Sequence, residues 1–251
     1  MLRGVLMSER RPAAGNDTRR ANRLLAALSQ RDFAILEPHL ELITLSRGRV
    51  LFEPGDQVDT TYFPCKRTMA SLLVVTADGH EVEAATIGRE GAVGGIVSEG
   101  NKPAFGRAVV QVGGEVLAIP TSHLEAAKTG SPRFGDLFSR YADALLAQMM
   151  QSVACNALHR VEERAARWLL AAHDRAGEAL IHLTQESLAE MLGVQRTTVS
   201  AVTSELAARG LIRNRRGRVE ILDRRGLERA ACECYAAVEN HFHRLLPEVD
   251  V

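Results

Sequence analysis

Residues 183–223 read LTQESLAEMLGVQRTTVSAVTSELAARGLIRNRRGRVEILD. Thr184 is placed to cap a helix over 185–192, and Glu186 in its first turn favours the positive end of the helix dipole. Gly193 permits a left-handed residue and a sharp turn. A second helix, about 195–209, turns Val199, Val202 and Leu206 inward, and Gly210 ends it. Ala189, Gly193, Val199 and Val202 stand four, six and three residues apart. The small residue lets the second helix approach, the glycine makes the turn, and the two valines bury the second helix on the first. That is the helix-turn-helix spacing.

The outer face of the second helix is polar. Gln195, Arg196, Thr197 and Ser200 are candidates for reading base edges, because a guanidinium or an amide can make paired hydrogen bonds to guanine or adenine. Thr184, Thr198 and Ser204 are candidates for phosphate contacts. After Gly210, LIR and RVEIL flank Asn214-Arg215-Arg216-Gly217, a hairpin tip loaded with arginine. Arg215, Arg216 and Arg218 are expected to hold phosphates, which fixes register without reading sequence. The pattern predicts a double-stranded DNA partner. A helical hairpin that binds protein is the alternative, and the basic wing argues against it.

Charge supports this reading only when taken locally. The 251 residues carry 31 Lys+Arg and 31 Asp+Glu, so net charge is zero. Residues 193–229 nonetheless hold nine arginines against Glu205, Glu220, Asp223 and Glu228, a local +5. Phosphate binding needs such a surface rather than a basic total.

Upstream, residues 161–176 (VEERAARWLLAAHDRA) form an amphipathic helix, and strand-like ALIHL follows. Before it lies SPRFGDLFSRYADALLAQMMQSVACNALHR, with Ser131 as N-cap and Pro132 at the first helical position. Phe134, Phe138, Tyr141, Leu145, Met149 and Ser152 recur at steps of four and three, a seam for a partner helix in a homodimer. Leu137, Leu146, Met150 and Val153 widen the apolar surface, so this helix needs cover on more than one side.

Residues 42–120 have a different texture, with short apolar runs punctuated by Gly, Pro and Asp. Asp78-Gly79 predicts a hairpin with a primed turn, and Gly113-Gly114 predicts a second. Many short strands with close turns predict an antiparallel roll or sandwich. Residues 22–41 predict one or two short helices interrupted at Pro38, and residues 1–20 a mobile tail.

The expected class is therefore α+β: a jelly-roll-like antiparallel β-roll over 21–131, a long dimerisation helix over 132–160, and a winged helix-turn-helix domain with a C-terminal helix over 161–251. No apolar run is long enough to span a membrane. The N-terminus lacks a secretory core, and four scattered cysteines make no disulfide scaffold, so a cytoplasmic location is expected. No nucleophile–base pair or P-loop stands out, which disfavours an enzyme; the only histidine between 42 and 120 is His80. Cys232-x-Cys234 and His241-x-His243 have ligand-like spacing if extended. On a helix, i and i+2 point apart, so no metal and no cofactor is assigned.

A roll, a long helix and a C-terminal winged helix-turn-helix in this order resemble the Crp/Fnr family of bacterial transcription regulators over about 21–235. The resemblance implies a cyclic-nucleotide-binding-like roll as the sensor domain, a homodimer reading a two-fold operator, and RNA polymerase as a further candidate partner. RGRVLFEPGD and TYFP look like the family's early strands. The cassette that holds cyclic AMP in some members is degenerate in AVGGIVSEGNKPAFGRAVV. Gly94 keeps the glycine, Gly95 stands where the ribose-binding Glu belongs, Ala104 and Phe105 stand near the phosphate-binding pair, and Arg107 is displaced. Tight cyclic-AMP binding is therefore not expected, and the effector is left unassigned. The first cysteine is Cys65, so the N-terminal cysteine cluster of the family's iron–sulfur members is not expected either. In the recognition helix, Thr197 stands at the place of an acid and Ala201 at that of an arginine in the best-known members. Arg196 matches an arginine found in some.

Overall fold

The structure is a computed structural model, which describes residues 11–12, 19–65, 67–97, 99–176 and 180–246. Most of the tail expected over 1–20 lies outside them. Arg11–Pro12 (β1) pairs antiparallel with Glu41–Leu45 (β2) at a sheet edge. Two short helices follow, Arg23–Ala26 (α1) and Gln30–Leu36 (α2), and Pro38 lies in a 3₁₀ turn after them. Buried Asn22 caps α1 by accepting from the Leu25 N–H. Its amide donates to the carbonyls of Pro64 (2.9 Å) and Gly91 (2.8 Å), so one side chain ties the helix to two roll segments.

The roll consists of β2, Val50–Phe52 (β3), Thr60–Pro64 (β4), Met69–Val75 (β5), Glu81–Ile87 (β6), Arg107–Val112 (β7) and Gly114–Pro120 (β8). Two sheets form, in the orders β1-β2-β8-β4 and β3-β7-β5-β6. Every pairing is antiparallel. The Asp78-Gly79 hairpin forms between β5 and β6, with a wider turn than a primed two-residue loop. The Gly79 N–H donates to Thr76 O, and only Gly79 in this turn has positive φ (84°).

The second predicted hairpin does not form. β7 and β8 are consecutive but lie in different sheets, and Gly113 is where the chain crosses. A Cβ there would meet Leu45 O at 2.8 Å and Arg47 N at 2.9 Å. Close approach of a neighbouring backbone, rather than turn geometry, is what Gly113 serves.

After β8 come Thr121–Gly130 (α3), the long helix Pro132–Leu158 (α4) and Val161–Ala176 (α5). Ser131 caps α4 by accepting from the Phe134 N–H, with Pro132 at the first position, as its sequence demands. The lower core of the roll gathers Leu24, Leu25, Phe33, Leu36, Phe63, Leu117, Ile119 and Leu124 against α4.

That packing buries the stripe expected to form a dimer seam. Phe134, Phe138 and Tyr141 are buried in the core of their own roll, Leu145 and partly buried Met149 pack on a second roll cluster, and Ser152 is buried. Phe134 stacks on Phe138, with ring centroids 4.8 Å apart. The Tyr141 hydroxyl donates to Ala92 O and accepts from Ala92 N–H, both at 3.0 Å. This stripe is consumed within the chain because aromatic side chains fill the roll better than a helix seam. The apolar face of α4 that remains exposed is Leu146 (56%), Met150 (66%) and Val153 (72%).

The last part comprises α5, Leu180–Ile181 (β9), Gln185–Leu192 (α6), Arg196–Ala208 (α7), Ile212–Arg215 (β10), Arg218–Ile221 (β11), Arg224–Ala230 (α8) and Cys234–Leu245 (α9). Its core, including Trp168, Leu188, Val199, Val202 and Leu206, is continuous with Met69, Leu73 and Val112 of the roll. α9 packs back along α4, where the Arg140 guanidinium donates to Leu245 O at 3.0 Å.

Candidate nucleic-acid interface

The helix-turn-helix forms where the spacing placed it. Thr184 caps α6, its hydroxyl accepting from the Ser187 N–H at 3.1 Å. Gly193 is left-handed (φ 63°, ψ 40°), and its N–H together with that of Val194 satisfies the last carbonyls of α6. α7 then crosses with Val199, Val202 and Leu206 buried. Gly210 (φ 71°) turns the chain into the wing, in which β10 and β11 pair from Ile212↔Ile221 to Arg215↔Arg218. The wing tip is Arg216-Gly217, and Asn214 and Arg215, expected at the tip, lie within β10. β9 adds a third strand on β11.

The predicted contact residues divide into free and engaged groups. Gln195, Arg196, Thr197 and Thr198 are exposed around the start of α7, and Ala201 and Ser204 are exposed away from its buried face. Ser200 is half-buried, and its hydroxyl donates to Gln185 Oε1 at 2.7 Å. Thr184 is engaged three times, as the α6 cap, as acceptor from Arg47 of the roll at 3.1 Å, and with the Ser187 hydroxyl at 3.0 Å. Ser204 turns its hydroxyl onto Ser200 O at 2.7 Å. Arg215 pairs with Glu220 (3.1 Å), which also holds Arg213 (3.2 Å). These pairs are exposed and weak, so phosphate can replace them. Arg196, Arg216 and Arg218 have no ion pair among the described residues.

The geometry brings the two sets together. Thr184, Gln185 and Arg196 line one side of a groove whose other side is Asn214, Arg215, Arg216, Gly217 and Arg218. Asn214, which the sequence marked only as part of the tip, braces the wing on the helix by donating to Thr203 O at 3.2 Å. Gln185 was also missed. Its amide oxygen faces Ser200 and its amide nitrogen faces Thr203, so it sets the angle between α6 and α7. A polar residue two turns back on the first helix gave no spacing signal for that role.

The candidate effector segment is arranged otherwise. Gly94 and Gly95 both have positive φ (89° and 61°), and a side chain at Gly95 would run into Thr121. Arg107 is held by Glu53 (2.7 Å) and Glu81, which raise its already high affinity for a proton. Ala104 is fixed by backbone bonds to Gly55 and Asp56, and Phe105 is 88% exposed.

Residues 163–230 match the Crp-like helix-turn-helix domain family. Transcriptional regulator SdrP of Thermus thermophilus is 34% identical over 92 residues, which cover 34% of this chain and 46% of that protein. The match therefore spans about half of that relative. The global nitrogen regulator of a Nostoc strain is 27% identical over 179 residues, 67% of this chain and 79% of its own. Among solved structures, FixK2 of Bradyrhizobium japonicum superposes with a TM-score of 0.65 at 16% identity, covering 76% of this chain and 96% of that one. The roll, long helix and winged module thus share one known architecture.

Proposed function

We propose that the chain is a DNA-binding transcription regulator of Crp/Fnr type that acts as a homodimer reading a two-fold symmetric operator, a reading supported by the Crp-like helix-turn-helix match over residues 163–230 and by the shared architecture. One observation carries the reading: Arg196 at the start of α7 lines the same groove as Arg215, Arg216 and Arg218 of the wing. Arg196, with Gln195 and Thr197, reads base edges in the major groove, and Arg215, Arg216 and Arg218 hold the adjacent phosphates. Ser200 and Thr184 are already hydrogen-bonded, so they act first by positioning the two helices on each other.

The second subunit docks on the uncovered face of α4. Leu146, Met150, Val153 and Ala157 recur at steps of four, three and four, and all are exposed. That is the period of a two-helix seam, and the roll already covers the opposite side. No helix among the described residues is long and apolar enough to cross a membrane. The roll's effector is of a chemistry other than cyclic AMP, because neither a carboxylate nor a free guanidinium stands where ribose and phosphate would need them.

The test is selection of bound duplexes from a random pool by the full chain. A two-fold symmetric site with half-sites about one helical turn apart supports the proposal. An unenriched pool, or a single half-site bound by one subunit, overturns it.

A further inference from the structure

We propose that Cys155, His159, Cys232 and Cys234 form a zinc site that fastens the end of the long helix to the C-terminal helix. In the sequence, Cys232 and Cys234 stand with His241 and His243 at a spacing that a helix would splay apart. The structure differs in two respects. Cys232 precedes α9, which begins at Cys234, so the two thiols are not held apart by helical geometry. Their companions come from the other end of the fold: Cys155 in the last turn of α4, and His159 four residues on, at its C-cap.

The four donor atoms lie within 4.8 Å of one another. Cys155 Sγ and Cys232 Sγ are 3.5 Å apart, and Cys234 Sγ and His159 Nδ1 are 3.4 Å apart. Tetrahedral zinc with Zn–S near 2.3 Å and Zn–N near 2.0 Å needs edges of about 3.5–3.8 Å. Both of these separations are close to that figure, and all four donors lie within 4.8 Å. Three sulfurs and one imidazole are a closed, structural donor set. Four ligands this close surround one ion and leave no room inside for a four-iron cluster.

The surroundings are those of a ligated site. His159 turns its other nitrogen, Nε2, to Glu233 Oε1 at 3.1 Å, which fixes the ring with Nδ1 toward the thiols. The Gln151 amide donates to Cys234 Sγ at 3.0 Å. All three cysteines are buried and form a cluster of their own. Three thiolates on one dication leave a net negative charge. Arg164 and Arg167 lie near enough for their charges to act on Cys155. Arg164 is 8% exposed, and the Nε atoms of both arginines are buried without a hydrogen-bond partner. Arg167 is only partly buried, and Arg164, which also donates to Leu192 O, is the buried cation that an anionic centre would match.

The experiment is metal analysis of the full chain expressed with zinc and purified without chelator. The expected result is one zinc per chain. Cobalt replacement should give the visible bands and the sulfur-to-cobalt charge transfer of a tetrahedral thiolate site. Chelation should raise the number of reagent-accessible thiols by three. Cys155→Ser and Cys232→Ser should each lower metal content below a tenth of an ion per chain, while Cys65→Ala retains one. If a serine variant does not fold, the cobalt spectrum and the thiol count of the unmodified chain still decide. A folded, reconstituted chain with less than a tenth of an ion overturns the proposal. So does iron with acid-labile sulfide, a Cys155–Cys232 disulfide in place of metal, or full zinc retention in both serine variants.

Discussion

Arg175 Nε donates to Glu90 Oε1 at 2.8 Å, joining the end of α5 to the loop after β6. Both side chains are largely buried, and Arg175 also donates to Ala171 O. The winged module is thus tied to the roll by a charge pair, beside the shared apolar core and the Trp168 indole that donates to Glu83 at 3.0 Å. Removing one partner of such a pair leaves an uncompensated charge indoors. Glu90→Ala should lower unfolding free energy by roughly 3 kcal/mol. Denaturant titration measures it, and a loss below about 0.5 kcal/mol would show the pair to be exposed in solution.

A second prediction concerns the exposed face of α4. Met150→Asp should shift the chain from dimer to monomer in analytical ultracentrifugation while leaving its circular dichroism unchanged, because Met150 touches little of its own chain. Phe138→Ala should do the reverse. Its side chain is in the core, so stability should fall by about 3–5 kcal/mol with the subunit contact retained. The opposite pattern would return the interface to the buried stripe.

For the roll, isothermal calorimetry with cyclic AMP should show no micromolar binding. Arg107 is shared between two carboxylates, and Gly95 has no space for an acidic side chain. Micromolar affinity would mean that Arg107 leaves Glu53 and Glu81 for the ligand.

The pH dependence of stability should carry a signature of Asp174. Burial opposes its ionisation, but hydrogen bonds from His173, Arg224 and Tyr235 outweigh burial and hold the carboxyl down to about 2. A depressed carboxyl contributes stability that is complete above its unfolded value, near 3.9, and is lost as pH falls toward 2. Asp174→Asn should therefore flatten the acid limb of the melting-temperature profile between about pH 4 and pH 2. An unchanged acid limb would place the relevant carboxyl elsewhere.

Much of the DNA-facing module was legible because its signals are local. A cap at Thr184, a left-handed Gly193 and two valines at helical spacing act within one another's reach. The glycine pair at 113–114 misled because a turn and a sheet-to-sheet crossing both favour glycine, and only Leu45 and Arg47, about seventy residues upstream, tell them apart. The long helix is apolar on two sides, so spacing marked a seam without saying which side the roll would take. The four clustered donors were invisible for the same reason. Cys155 and His159 meet Cys232 and Cys234 only through the packing of α9 on α4, and no spacing along the chain records that contact.

In the proposed complex α7 reads bases while the wing holds phosphate. The most direct test of this division is the affinity of Arg196→Ala across a panel of single-base-pair operator variants, with the Arg215→Ala/Arg216→Ala pair beside it. The wing pair should lose affinity uniformly and flatten the salt dependence. Arg196→Ala should lose about 1–3 kcal/mol of discrimination confined to one or two base pairs. An equal loss on every variant would make Arg196 another phosphate contact and would contradict the account.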